Sequence, residues 1–312
     1  MILNLPDTSI REISKTLLEA QDNFSLATGR VLTLIVVARA DDKLDELLDT
    51  VRDASHEHPS RVLVLISHDR HAETKMDAKA ILAADAGASE MVVMNLYGAL
   101  TEEIASIVTP LLLPDTPIVA WWPTTAPARP AEHPLGKIAQ RRITNARHNV
   151  SGNALLRLSN GYTPGDSDMM WSRITPWRGI VASALDRYPH EPVESAEIVG
   201  PADNPSVDIA AGWLADRLRV PVTRNSFRPD EEDKQTLFSI RSVTLHRASG
   251  PLVVEVLDER TMRLAFPNQP DSLVAANIRT DTECLAEELR HLDPDVAYAQ
   301  ALEGLAHVQV NY

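Results

Sequence analysis

Residues 31–66 read VLTLIVVARADDKLDELLDTVRDASHEHPSRVLVLI, and the periodicity of this stretch decides the fold. Val31 to Ala38 is an apolar run broken only by Thr33, and Val62 to Ile66 is a second. Both are too short to span a bilayer and rich in β-branched residues that pack well on a pleated surface, so both read as buried strands. Between them Asp41 opens a helix with Leu44, Leu47, Leu48 and Val51 on one stripe, closing before Pro59. Strand, helix, strand at this spacing predicts a parallel pair with the helix crossing one face.

Working outward, Asp7-Thr8-Ser9 offers capping oxygens to a helix that places Ile10, Ile13, Leu17 and Leu18 on one face, and Gly29 punctuates before the first strand. Downstream, Ala78 to Ala84 reads as a short helix or an alternating strand. The turn-like Asp85–Ala88 and the strand Met91–Leu96 favour a hairpin. Thr101-Glu102-Glu103 starts a helix that Pro110 limits, and Pro117 to Pro123 is a strand bracketed by prolines. Four prolines between 123 and 134 mark a loop, and Asn160–Gly165 is a turn cluster at a domain boundary. The reading is α/β: an N-terminal three-layer α/β domain with a mixed, partly parallel sheet over 1–165, a helical connector over 166–190, and a smaller mixed α+β domain over 191–312. The last domain has strands at Ile198-Val199 and Val220–Thr223 around a helix at Val207–Leu218. A β-meander follows at Thr236–Leu245, Leu252–Leu257 and Arg263–Phe266, then helices at Thr282–Leu292 and Asp295–His307.

Composition narrows the function classes. The 312 residues carry 44 Asp and Glu against 30 Lys and Arg, a net charge of −14, which disfavours nucleic acid or an anionic membrane as partner. The N-terminal MILNLPDTSI lacks a basic start and a long apolar core, so a cytoplasmic protein is expected. A single cysteine, Cys284, leaves no intrachain disulfide and no cysteine-rich zinc site. Glycine-rich phosphate loops, the G-x-S-x-G elbow and H-E-x-x-H are absent, so no catalytic residue, metal or cofactor is assigned. His56 with His58 at the end of the second helix, and His68 with His71, are read as surface-loop residues. The i, i+3 spacing of His68 and His71 could hold a metal on one helical turn, but no third ligand lies nearby in sequence. The acidic run 231–233 is read as a solvated loop.

One segment departs from this background. Four of the five tryptophans lie between 121 and 177, and residues 129–187 hold nine Lys and Arg against four acids. Tryptophan and arginine dominate protein–protein hot spots, so Trp121, Trp122, Arg141, Arg142, Trp171, Arg173, Trp177 and Arg178 form the candidate partner-binding set. Their bland alternative is a core strand end with internal ion pairs. In the connector, Asp168 and Thr175 are read as caps and Pro176 as a first helical residue, giving either two short helices or one kinked at proline. Met170, Ile174, Trp177 and Val181 share an inward face, leaving Trp171, Arg173 and Arg178 to project elsewhere, so Trp171→Ala should leave the monomer folded. A competing reading has Arg141, Arg142 and Arg147 gripping a phosphate in a sugar-phosphate-binding enzyme or sensor.

Gly29–Leu34, His58–Val62, Asp85–Glu90, Pro110–Pro123, Gln140–Thr144 and Trp171–Arg178, taken together and in order, resemble the glucose-6-phosphate dehydrogenase assembly protein family, OpcA. The resemblance implies a non-catalytic protein that binds glucose-6-phosphate dehydrogenase, promotes its active oligomer and supports the oxidative pentose phosphate pathway and NADPH supply. It supplies no catalytic residues. Some relatives respond to redox state through several cysteines, which Cys284 alone cannot reproduce as an internal disulfide.

Overall fold

The computed structural model describes residues 1–23, 30–82, 90–148, 154–187, 190–227 and 240–311. Gly29, the turn 85–88, the acidic run 231–233 and the start of the expected strand at 236 lie outside them. The chain divides into two compact units. One comprises Met1–Val150, Tyr162–Met169 and Asp281–Pro294, and the other Ser151–Gly161, Met170–Thr280 and Asp295–Tyr312. This division interleaves the chain where the sequence suggested consecutive blocks.

The described residues of the first unit form eight strands: β1 (Ile2–Leu5), β2 (Leu32–Arg39), β3 (Ser60–Ser67), β4 (Met76–Ile81), β5 (Glu90–Leu96), β6 (Ile118–Trp122), β7 (Arg141–Thr144) and β8 (Asp166–Asp168). They lie in the order β1-β4-β5-β3-β2-β6-β7-β8. The quoted stretch forms its centre, with β2 and β3 parallel in the register Leu32↔Ser60 to Arg39↔Ser67. β4 and β5 pair antiparallel, as the hairpin reading requires, and β1 adds antiparallel to β4. Every other pair is parallel, so the central strands are covered on both faces and read as continuous apolar runs.

One face carries α1 (Ile10–Asn23), α3 (Ile104–Val108) and α4 (Pro134–Ile138). Ile13, Leu17, Ile107 and Leu135 from these helices pack with Ile35, Leu63, Leu65, Val92 and Trp122 in one core. Ser9 and Glu12 start α1 as a reciprocal pair. The Glu12 N–H donates to Ser9 Oγ at 3.3 Å and the Ser9 N–H to Glu12 Oε2 at 2.9 Å. Leu18, expected on the buried stripe, is 61% exposed, because the apolar arc of α1 is narrower than its sequence suggests. α2 (Leu44–Glu57) buries Leu47, Val51 and Ala54 and packs against α9 (Asp281–Arg290), which enters this unit from far down the chain.

The second unit carries β9 (Ser195–Pro201), β10 (Val222–Phe227), β11 (Ser242–His246), β12 (Leu252–Asp258), β13 (Thr261–Ala265), β14 (Ser272–Ala275) and β15 (Val308–Asn311). Their order is β14-β13-β12-β11-β9-β10-β15, an antiparallel meander joined to a parallel edge of β9, β10 and β15. Ile198, Val243, Leu245, Val254 and Met262 are buried on one face while their neighbours in sequence are only half-buried. Its helices are α5 (Ala154–Asn160), α6 (Met169–Arg173), which begins on the last residue of the first unit, α7 (Thr175–Leu185), α8 (Pro205–Leu218) and α10 (Val296–Gly304). α8 and α10 cross at two glycines. A Cβ on Gly212 would lie 2.2 Å from the Ala301 carbonyl oxygen, and one on Gly304 would lie 2.1 Å from that of Gly212, so the backbones approach as only glycine permits. No helix among the described residues is long and apolar enough to cross a membrane.

Candidate functional site

The eight residues expected to form a sticky surface are mostly interior. Trp121, Trp122, Arg141, Arg142, Trp171 and Trp177 are all buried, and only Arg173 and Arg178 keep partial exposure. The physical reason is that each buried member has a specific partner inside its own unit.

In the first unit, β6 ends on Trp121 and Trp122, whose side chains point to opposite faces of the sheet. The Trp121 indole N–H donates to Met169 Sδ at 3.2 Å, and the Trp122 ring meets the His133 imidazole edge to face at 5.3 Å. His133 also caps α4, its Nδ1 accepting the Leu135 N–H at 3.3 Å. Burial holds the His133 pKa below its ordinary value of 6.5. As pH falls through 6.5 the unfolded chain therefore takes up the proton first, and stability is lost from there down towards the folded value. Acidification from pH 7 to 5 is expected to lower the melting temperature of the natural chain more than that of His133→Gln. Parallel curves would remove His133 as a contributor.

The two arginines of β7 are bound to carboxylates on neighbouring elements. Arg141 donates from Nη2 to Glu288 Oε2 at 2.5 Å and from Nη1 to the Asp293 carbonyl at 2.9 Å. Glu288, on α9, also accepts the Ser167 hydroxyl at 2.6 Å. Arg142 pairs through Nε with Asp166 and donates to the Ala139 carbonyl at 2.9 Å and the Pro164 carbonyl at 2.6 Å. Burial raises the Asp166 pKa more than the Arg142 guanidinium and the Thr163 N–H lower it. With their terminal nitrogens engaged this way, Arg141 and Arg142 present no open fork to a phosphate. Arg147, the third member of that reading, is exposed.

The second unit holds the tryptophan motif. α6 and α7 are separate helices, one of the two arrangements the connector sequence left open, and Met170, Ile174, Trp177 and Val181 are buried as their spacing requires. Trp171 does not project outward. Its indole N–H donates to Asp295 Oδ2 at 2.7 Å, the Arg178 guanidinium lies 3.4 Å from its ring centre, and Tyr298 packs at 5.9 Å. Asp295 uses its other oxygen to cap α10 by accepting the Tyr298 N–H at 2.9 Å. Arg173 donates to the Arg279 carbonyl at 2.6 Å, Arg279 returns a bond to the Ser172 carbonyl at 3.0 Å, and Trp177 meets Trp213 edge to face.

Two expected caps are corrected. Thr175 is the first residue of α7, and its hydroxyl accepts from Arg178 at 2.8 Å instead of capping the helix. Asp168 ends β8 and accepts the Thr144 hydroxyl at 2.6 Å and the Ala146 N–H at 2.9 Å. The sequence reading also missed Glu288, Asp295 and Asn145. Of these, only Asp295 had a local signal, as the first residue of the expected helix Asp295–His307; it is the N-cap of α10, which begins at Val296.

His68 stacks on Tyr97 at 4.3 Å and bonds Asn95, while His71 is exposed. His56 is exposed in the last turn of α2, and His58, at its C-cap, is half-buried. Cys284 is buried in α9. Among the described residues no three His, Cys, Asp or Glu side chains gather as a metal site.

Comparison with known proteins gives this architecture its relatives. A protein of Synechocystis sp. with the provisional name OxPP cycle protein OpcA is 27% identical over 142 residues, which cover 41% of this chain and 29% of that protein. The matched part is thus under a third of the relative's length. Two solved structures also align. One, described as trehalose-6-phosphate from E. coli bound with UDP-2-fluoro glucose, has TM-score 0.29 and 10% identity over 64% of this chain and 66% of its own. The other, GenD2 from gentamicin A biosynthesis with NAD, has TM-score 0.35 and 9% identity over 90% and 95%. Neither likeness is close enough to support an argument. The glucose-6-phosphate dehydrogenase subunit N-terminal domain family matches residues 51–160, and the C-terminal domain family of the same subunit matches residues 164–302. With both domains present in order across most of its length, the chain belongs to the OpcA family of glucose-6-phosphate dehydrogenase subunits.

Proposed function

We propose that this protein is a non-catalytic cytoplasmic assembly factor that binds glucose-6-phosphate dehydrogenase, stabilises its active oligomer and so supports the oxidative pentose phosphate pathway and NADPH supply. The observation that carries this reading is the consecutive match of both subunit domains over 51–160 and 164–302. The pathway name borne by the Synechocystis relative points the same way. An activator of this kind works only if it binds the active state of the dehydrogenase more tightly than the inactive one. Arg173 and Arg178, the two partly exposed members of the tryptophan motif, are the docking candidates. Trp121, Trp122, Arg141, Arg142, Trp171 and Trp177 act by holding the fold that presents the surface.

Size-exclusion chromatography of the purified chain with the dehydrogenase, followed by activity assay of the fractions, tests the proposal. The two proteins are expected to co-elute, with higher specific activity and a larger oligomer than the dehydrogenase alone. Separate elution with unchanged activity would overturn it, as would dehydrogenase-independent turnover by the chain itself.

A further inference from the structure

We infer that the turn leaving β7, from Asn145 to Arg147, binds a small molecule that carries a hydroxyl group and a phosphate. The first observation is an unpaired polar atom. Asn145 is 2% exposed, and its side-chain Oδ1 is buried without a hydrogen-bond partner. A buried carbonyl in that condition is costly, and folded proteins keep very few without a reason such as an ordered water or a ligand.

The second observation is that the residue is held in place by bonds that leave this atom unused. Asp168 accepts from Thr144 on one side of Asn145 and from Ala146 on the other, and the Asn145 backbone carbonyl accepts the His148 N–H at 3.3 Å. The backbone is fixed before and after the carboxamide, which is how preorganised binding residues are supported.

The third observation is position. In this sheet β2, β3 and β5 run to one side and β6, β7 and β8 to the other, so the strand order reverses between β2 and β6. Open α/β sheets bind ligands outside the carboxyl ends of their strands at such a reversal. Asn145 follows the carboxyl end of β7, one strand beyond that reversal, since β6 stands between β7 and β2. Arg147, two residues further in the 3₁₀ turn Ala146–His148, is exposed. An acceptor that needs a donor, two residues from an exposed guanidinium in the same turn, suits a sugar phosphate: the hydroxyl would donate to Asn145 Oδ1 and the phosphate would meet Arg147.

The site stands on these residues alone, and only the choice of glucose 6-phosphate as probe rests on the proposed function. The full chain, without the dehydrogenase, is titrated with glucose 6-phosphate, glucose and inorganic phosphate by thermal melting and calorimetry. A failure here therefore leaves the assembly reading untouched. Glucose 6-phosphate at millimolar concentration is expected to raise the melting temperature by several degrees. Glucose or phosphate alone should do much less, because each satisfies half the site. Asn145→Leu removes the unpaired acceptor, so it is expected to melt at or above the natural chain while losing the response. Arg147→Gln is expected to melt as the natural chain does and to bind at least tenfold more weakly. No response of the natural chain overturns the inference, and so does a response that survives in Asn145→Leu. A full shift from phosphate alone reduces the site to a surface cation. A large loss of stability in ligand-free Asn145→Leu assigns Oδ1 to a structural water.

Discussion

Trp171→Ala is expected to destabilise the second unit by about 3 to 5 kcal/mol, the usual effect of removing a buried tryptophan from a packed interior. Three losses coincide at this site. The ring is 2% exposed, so its removal opens a cavity. The Arg178 guanidinium loses the aromatic face 3.4 Å from it. Asp295 Oδ2 loses the indole donor at 2.7 Å while its other oxygen still caps α10. Trp171→Phe keeps most of the buried area and loses chiefly the hydrogen bond to a charged acceptor, so a loss of about 1.5 to 3 kcal/mol is expected. Urea unfolding followed by tryptophan fluorescence and far-UV circular dichroism measures both. A loss below about 1 kcal/mol for the alanine variant would place the side chain at the surface and restore it to the docking set. The same result bears on the proposed function, under which reduced dehydrogenase activation by a Trp171 variant would report on folding before it reported on contact.

Arg142→Met is expected to cost about 3 to 5 kcal/mol, because it leaves a buried carboxylate without its counter-ion. Asp166 would keep the Thr163 N–H at 2.8 Å, and the Ala139 and Pro164 carbonyls would each lose a donor. Burial already raises the Asp166 pKa, so removing the guanidinium is expected to drive it further up. Adding Asp166→Leu removes the stranded carboxylate but not the two stranded carbonyls. The double variant is therefore expected to recover only part of the loss. A chemical-denaturation double-mutant cycle reads the coupling directly, and additive losses would show that the pair contributes no mutual stabilisation.

How much of this was legible in the chain depended on the range of the interaction. The parallel pair of β2 and β3 follows from two apolar runs flanking a helical stripe, and the β4–β5 hairpin from a turn-like segment before a strand, all of which are local signals. Strands β1, β7, β8, β14 and β15 were not read, because each has only three or four residues and becomes a strand by pairing with a neighbour already in place. β8 is the clearest case: Asp-Ser-Asp has low strand propensity, yet all three residues are buried, held by Arg142, Glu288, Thr144 and the Ala146 N–H. Helical spacing correctly turned Met170, Ile174, Trp177 and Val181 inward. It misplaced Trp171 because a five-residue helix with neighbours on several sides has no outward face to spare.

By itself the sequence determined the α/β class, the central strand–helix–strand unit and, through six short motifs in order, the family. Tertiary structure alone decided what the tryptophans and arginines do. Arg141 finds Glu288 across 147 residues, and Trp171 finds Asp295 across 124. A charged or amphipathic side chain serves equally well at a surface or inside, and which it does is fixed by whether folding brings a distant carboxylate to meet it. Periodicity reports which way a side chain points along its own element, and carries no record of what waits there.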